Sequence, residues 1–341
     1  MNISQAITTA ASAAQGKSTL PILSTLAIKS EFGKIVFTGT DLETAIKTTA
    51  QYEAPDFACC VDAKRLVAAI NIIENPKIKL TDTHLIIQQG SMRFTLPFMH
   101  YDNFPDVFIA NDEGIELDGS VVNLLAQVRY AQAKNDVRYY LNGVYLHSEN
   151  GKLIICASDG HRIAIRYQPC KEAFNIILPT KSVNQIIKHE PEKLIISSKL
   201  RCIKDDFEMI CTPIEAKYPD FVRALGQMDD TISFSKQDVQ VTLSAITSLR
   251  DVSPHMGVRL EWADAELSFS SHGNDNSDVE NKIPAIFDKS KKNEIAINAR
   301  YLGDLVSAID NETIELEFCD ATRPLISRRN DALDLIMPMR L

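Results

Sequence analysis

Residues Asn135–Arg166 read NDVRYYLNGVYLHSENGKLIICASDGHRIAIR. The stretch sets an aromatic pair, Tyr139-Tyr140, beside Arg138, then a hairpin signal, then the compact turn Ser158-Asp159-Gly160-His161-Arg162. Alone it has the look of an active site. Weakened copies flank it, however: Ser30–Ile46 reads SEFGKIVFTGTDLETAI and Glu261–Val279 reads EWADAELSFSSHGNDNSDV. Each copy is a turn, an alternating strand, a polar turn and a second short strand pattern.

A second landmark repeats more tightly. DAKRLVAAINII starts at Asp62, TKSVNQIIKHE at Thr180 and NARYLGDLVSAI at Asn298, so successive starts lie 118 residues apart. Each opens on a favoured N-cap residue and runs apolar at helical spacing. A strand pattern follows each, at Lys77, Lys193 and Thr313, and in RFTLPF the side chains of Phe94, Leu96 and Phe98 fall on one face. Further amphipathic helices are expected upstream, over Ile3–Ala14, Ser120–Ala133 and Lys236–Leu249. A period of this kind changes what every motif within it means. The pattern predicts an α+β protein of three tandem units, 1–115, 116–229 and 230–341, each with two helices and roughly eight short strands.

With 341 residues and 45% hydrophobic composition, the chain can bury two or three cores. No apolar run approaches the ~18–20 residues that span a bilayer. The first residues, MNISQAITTAASAAQGKS, lack the basic start and apolar core of a secretory signal. The seven cysteines include no CxxC spacing and suggest neither a disulfide framework nor a zinc site. A soluble, reduced, cytoplasmic protein without a cofactor is expected.

The net charge of −9 argues against a nucleic-acid partner only if charge is evenly spread. It is not. The helical segments carry Lys64, Arg65, Arg129, Lys134, Lys181, Lys188, Lys236, Arg250 and Arg300 against few acids. Much of the acid falls in strands and turns, as at Asp41, Glu43, Asp112, Glu113, Glu116, Asp205, Asp206, Asp278 and Glu280. Helices sharing one surface would make it mildly basic and attractive to duplex phosphates without base readout.

Asp159 and His161 invite a hydrolase reading, with His as general base and Asp as its orienter or a metal ligand. No second ligand motif, HExxH, GxSxG or phosphate-binding glycine loop accompanies them. The corresponding turn Thr40-Asp41-Leu42-Glu43 keeps the Asp and has no His, which favours a structural Asx-type turn. Tyr139 and Tyr140 read equally as core aromatics at a strand start, one in and one out, or as a platform for nucleic acid. At the other end, LIMPMRL (335–341) stays apolar where chain ends are usually polar. Pro338 stops strand pairing, so Met339 and Leu341 are expected at the surface, where methionine adapts to varied apolar partners.

Together NDVRYYLNG, ASDGHRIA, TLPIL…FTGTDLE, YPDF and the terminal MPMRL resemble the β-subunit family of bacterial DNA polymerase III, the sliding clamps, in order from Thr19 to Leu341. The resemblance implies three copies of the DNA-clamp fold per chain and a head-to-tail homodimer closing into a six-domain ring. Its helices would line the hole, and mechanism would need no enzymatic chemistry. Duplex DNA would be encircled without sequence preference, touched by Lys17, Asn135, Arg138, Tyr139 and Tyr140. A groove for short peptides would be formed by Leu141, Ser158, Gly160, His161, Arg162 and Ile163 with the tail Met337, Pro338, Met339, Arg340 and Leu341. Gly226, Asn298, Tyr301, Thr322 and Pro324 would border it. Its occupants would be clamp-motif peptides of the polymerase III alpha subunit, the clamp loader and repair proteins. Phe94 and Leu96 would meet the region of Leu249 in the second chain. One departure stands out: Gly226 takes a place where the family usually has proline. A monomeric peptide-binding adaptor that kept the groove and lost the ring is the alternative, with the Asp159–His161 hydrolase a more distant one.

Overall fold

The computed structural model of the chain describes every residue except 17–18, 74, 109–112, 222–224, 227, 249–255, 273–277, 289–292 and 341. Five residues named above, Lys17, Asp112, Leu249, Arg250 and Leu341, lie outside the described residues.

In the first third, α1 (Ile3–Ala11) precedes β1 (Thr25–Glu31), β2 (Lys34–Thr40), β3 (Thr44–Gln51) and β4 (Phe57–Asp62). Then come α2 (Ala63–Ile70), β5 (Lys77–Leu80), β6 (His84–Gln89) and β7 (Met92–Met99). The second third runs β8 (Ile115–Asp118), α3 (Ser120–Val128), β9 (Gly143–Glu149), β10 (Lys152–Ser158), β11 (Arg162–Pro169) and β12 (Phe174–Pro179). It closes with α4 (Thr180–His189), β13 (Lys193–Ile196), β14 (Leu200–Lys204) and β15 (Phe207–Cys211). The last third runs β16 (Asp230–Ser235), α5 (Lys236–Ser248), β17 (Gly257–Ala263), β18 (Glu266–His272), β19 (Asp278–Phe287) and β20 (Asn293–Asn298). After these come α6 (Ala299–Ser307), β21 (Thr313–Phe318), β22 (Leu325–Arg328) and β23 (Ala332–Ile336).

The expected two helices and eight strands recur in the second and third thirds. The first shows seven strands, because Asn2 opens α1 directly, in a capping box with Gln5. Asp62 and Asn298 cap α2 and α6 as their residue types predict, each side chain accepting backbone N–H groups. Thr180 departs from that expectation; it is the first residue of α4, and its hydroxyl has no partner. Several helices are shorter than predicted, α2 ending at Ile70 and α6 at Ser307. α1 stops at Ala11, and α3 gives way at Arg129–Ala131 to a tighter turn. Tyr139 and Tyr140 lie in a short 3₁₀ turn over Tyr139–Leu141, so of the two readings left open for them strand alternation does not apply.

Two compact units divide the chain: Met1–Val122 with Asn184–Pro213, and Asn123–Val183 with Ile214–Leu341. The first holds an 11-stranded sheet in the order β5-β6-β7-β4-β1-β2-β3-β15-β14-β13-β8. Its core joins Ala6, Ile7 and Ala10 of α1, Leu66 and Ile70 of α2, and Leu26, Ile28, Ile35 and Phe37 of the sheet. Each large side chain so buried contributes about 1.5–3 kcal/mol. The alanines of α1 have a purpose: a Cβ on Gly39 would sit 2.2 Å from the Ala10 carbonyl oxygen, so helix backbone lies directly on β2. Any side chain at position 39 would lift the helix off the sheet.

The second unit holds a 12-stranded sheet, β12-β9-β10-β11-β23-β22-β21-β16-β19-β18-β17-β20. One core gathers the last third around Trp262, Phe269, Leu302 and Leu316. Another joins Leu141, Cys156, Ile163, Ile165 and Ile177 to Tyr218, Ile326, Leu333 and Leu335. The middle third thus contributes strands to both sheets.

The 118-residue period survives as strand register. β15 pairs antiparallel with β3, Cys211 opposite Thr44 and Phe207 opposite Thr48. β23 pairs with β11 in the same way, Ile336 opposite Arg162 and Ala332 opposite Arg166. Thr44 and Arg162 are themselves 118 positions apart. Among the described residues, no strand of that kind lines the corresponding edge of β19, over Asp278–Pro284, and β7 pairs beyond β6 only through Phe98 and Met99.

Candidate functional site

The turn Ser158–Arg162 links β10 to β11, and its side chains close it on itself. Asp159 Oδ1 accepts the backbone N–H groups of His161 and Arg162 at 2.9 and 3.1 Å. Ser158 Oγ accepts Gly160 N–H at 3.0 Å and donates to the Arg162 carbonyl at 2.9 Å. The first third repeats the motif. Asp41 Oδ1 accepts from Glu43 and Thr44, while Thr40 Oγ1 accepts from Leu42 and donates to Thr44. An aspartate that performs this task twice is a turn former. The second oxygen of Asp159 is taken by Arg162 Nε at 2.9 Å. The hydrolase reading therefore loses its orienting carboxylate. Among the described residues, no group of three or more His, Cys, Asp or Glu side chains could hold a metal ion.

Arg162 is the pivot of the site. Only 8% of it is exposed, and it reaches Asp159 on one side and Asp304 of α6 on the other. Its guanidinium carbon lies 4.3 Å over the Tyr301 ring and 5.3 Å from that of Tyr130. Cation–π contact and two carboxylates offset the cost of burying the charge. The exposed His161 ring stacks near Tyr301, centroids 6.5 Å apart at 26°. The tail is pinned through its backbone: Met337 N–H donates to the His161 carbonyl and Met339 N–H to Ala296, both at 2.8 Å. Met337 and Arg340 are exposed, and Pro338 and Met339 half-buried. Beneath lie Leu141 and Ile163, nearly buried, in a cluster bordered by half-buried Tyr140, Ile214, Phe221, Leu225 and Met228. An aromatic and methionine-rich rim over an apolar floor suits anchoring side chains of a linear peptide.

The remaining groove expectations are placed around this centre. Asn298 is committed to capping α6, one turn before Tyr301 reaches the site. Thr322 and buried Pro324 belong to the connection between β21 and β22, where Asp320 binds Thr322. Gly226 has φ +46°, which proline, fixed near −65°, cannot adopt.

Asn135 (φ +56°) opens a loop on which Val137 is 96% and Tyr139 57% exposed. The Asn142 side chain ties the loop shut, accepting from Asp136 N–H and donating to its carbonyl. Arg138 holds Asp136 through two hydrogen bonds, which draw the Asp136 carboxyl down to about 2. The helices carry exposed Lys64, Arg65, Lys181, Lys188 and Arg300, with Arg129 directly after α3. Lys236 differs, since it donates to the Ile309 carbonyl at its own helix start.

Some of the site was missed in the sequence. Asp304 lies one helical turn beyond Tyr301, and that spacing was a usable signal. Asp334 is fully buried and accepts from Tyr130 Oη at 2.6 Å, from Arg166 Nη1 at 3.1 Å and from Arg329. A lone Asp inside the apolar strand ALDLI was its mark.

Three family models match in succession: the N-terminal domain of the DNA polymerase III beta subunit over residues 1–108, the central domain over 117–220 and the C-terminal domain over 231–340. The chain is 25% identical to the beta sliding clamp of Pseudomonas putida, over 95% of this chain and 94% of that one. It is similarly 25% identical to the beta sliding clamp of Escherichia coli, with 96% and 94% covered. A crystal structure of the DNA polymerase III subunit beta from Pseudomonas aeruginosa superposes with a TM-score of 0.90 at 24% identity, covering 99% of this chain and 98% of that one.

Proposed function

The chain belongs to the DNA polymerase III beta subunit family, and from that premise we propose that it is a processivity clamp, a head-to-tail dimeric ring that encircles duplex DNA. One observation carries the ring. Two junctions, β15 on β3 and β23 on β11, share a register, while the matching edges of β7 and β19 carry no such pairing among the described residues. A second copy supplies the third junction, and two copies close the circle without a spare edge.

The register of that junction follows by repetition. Ala45, Ile163 and Asp278 are equivalent, since each follows the turn from the last residue of the preceding strand. The hairpins β14–β15 and β6–β7 both turn through two residues, so Met92 matches Phe207 and Arg93 matches Glu208. Glu208 pairs with Lys47, and Glu280 matches Lys47. Arg93 of one chain therefore faces Glu280 of the other, the charges exchanged relative to the internal pair. Phe94 stands opposite Val279, while Leu96, 8% exposed, packs in the core of its own unit.

The domains are placed at 1–115, 116–229 and 230–341, with their helices lining the hole. Affinity for DNA is topological, helped by weak phosphate contacts from the helix cations and from Lys17, Asn135, Arg138, Tyr139 and Tyr140. No chemistry is performed. In the cytoplasm, peptides of the polymerase alpha subunit, the clamp loader and repair proteins take the groove around Leu141, the Ser158–Ile163 turn, Tyr301 and the Met337–Leu341 tail. Loading onto nicked circular DNA tests the reading. The protein should stay on the circle and run off once the circle is cut. Equal retention on linear DNA would overturn it. A solution mass of one chain at micromolar concentration would favour the monomeric adaptor instead.

A further inference from the structure

The loop that carries Arg138 and the turn that carries Gly160 share one guanidinium. Arg138 Nε and Nη2 donate to Asp136 at 3.0 and 2.7 Å, and Nη2 also donates to the Asp159 carbonyl at 3.1 Å. The same group lies against Gly160, where a Cβ would stand 2.6 Å from Nη1 and 2.8 Å from Nη2. Gly160 has φ +87°, and its counterpart in the first third is Leu42, at φ +76°. That turn accommodates a side chain at this position. At 160 a side chain would, besides adopting that strained φ, have to displace the Arg138 guanidinium.

Resting on the reading of Arg138 as a phosphate contact and of the turn as a groove wall, we propose that Arg138 is a positioning residue for the peptide groove, braced on Asp159-Gly160 until a duplex phosphate draws it away. A phosphate takes arginine best through the Nε–Nη edge. Here that edge is occupied by Asp136 and the Asp159 carbonyl. With its side chain 43% exposed, the guanidinium is reachable, yet it cannot serve both partners at full strength. Duplex and peptide therefore weaken each other by the same factor, as linkage requires. Losing one hydrogen bond from the turn sets that factor at roughly 3–10.

The test measures the affinity of the intact protein for a labelled peptide with two apolar anchor residues, with and without saturating short duplex at low salt. Binding of the duplex is followed by a second label in the same samples. In the unaltered protein the duplex should raise the peptide Kd about 3–10-fold. In Arg138→Ala the Kd should already be raised without duplex, and the duplex should leave it unchanged. Gly160→Ala, whose Cβ expels the guanidinium, should reproduce that result, and the double variant should add nothing. An equal duplex effect in Arg138→Ala, or none in the unaltered protein while both ligands bind, would overturn the coupling alone. Failure of the unaltered protein to bind the duplex at low salt would overturn the coupling, and failure to bind the peptide would overturn the groove reading and the coupling with it.

Discussion

Reversing the charge at Arg93 should take the dimer apart, and reversing its partner as well should restore it. The internal junction is the template: Lys47 and Glu208 bridge there with side chains 35% and 15% exposed. A cross-strand pair of that kind contributes about 1 kcal/mol at most, and like charges set opposite each other cost a similar amount. Arg93→Glu exchanges attraction for repulsion, roughly 2 kcal/mol at each junction by that measure. Dissociating a two-fold ring breaks two junctions, so the change is roughly 4 kcal/mol, or about a thousandfold in dimer Kd at 1.4 kcal/mol per decade. Glu280→Arg should do the same. Arg93→Glu with Glu280→Arg should return the Kd to within about tenfold of its starting value. Sedimentation velocity from nanomolar to micromolar protein at low salt reads all three, and added salt should narrow the differences as exposed charges are screened. Two destabilising reversals that fail to compensate each other would refute the register, and an unmoved Kd in both singles would refute the junction.

Asp334→Ala leaves Arg166, 2% exposed, without its carboxylate, and should lower unfolding stability by roughly 3–5 kcal/mol in urea titrations. His189 is held near 4, against a usual 6.5, by burial first and by Lys188 and Lys204 next. Its unfolded form therefore binds a proton that the folded form refuses, and stability should fall as pH drops from 6.5 towards 4. In His189→Gln the slope of the urea midpoint against pH should flatten within that window. Removing Met337–Leu341 should abolish peptide binding by fluorescence polarisation while leaving the sedimentation of the dimer unchanged. Loss of the dimer would mean that the tail is a core element.

The threefold repeat was legible because it rests on local chemistry. Asp41 and Asp159 close identical turns, Asp62 and Asn298 cap helices, and each signal needs only a few neighbouring residues. What sequence could not supply was decided at long range. Arg162 is solvent-facing by residue type, yet Asp304, 142 positions away, and two tyrosines make its burial tolerable. Of the two readings left open for Tyr139 and Tyr140, strand alternation fails because a 3₁₀ turn tied by Asn142 overrides the β preference of aromatics. The division of the middle third between two sheets depends on which strand finds β3 and which finds β11, and periodicity carries no such information.

The position facing Arg93 differs among the three junctions, and the difference is physical. Inside the chain it is Lys47 opposite Glu208 in one junction and Ile165 opposite Leu333 in the other. The third, on the proposed register, is Glu280 opposite Arg93. An internal junction is never parted from its partner, so an apolar pair is safe there. An edge that must exist in the free monomer is exposed to every other unpaired strand. Charge on both sides keeps each edge soluble alone and adhesive only to its complement. Prolines make the same distinction: Pro97 and Pro284 lie within β7 and β19, and the other strand prolines, Pro169 and Pro179, sit at strand ends. Proline inside a strand removes a ladder donor and belongs at edges. Among the described residues, the two strands left open by the internal pairing are thus the two that carry a proline in their interiors, which discourages indiscriminate pairing at those edges.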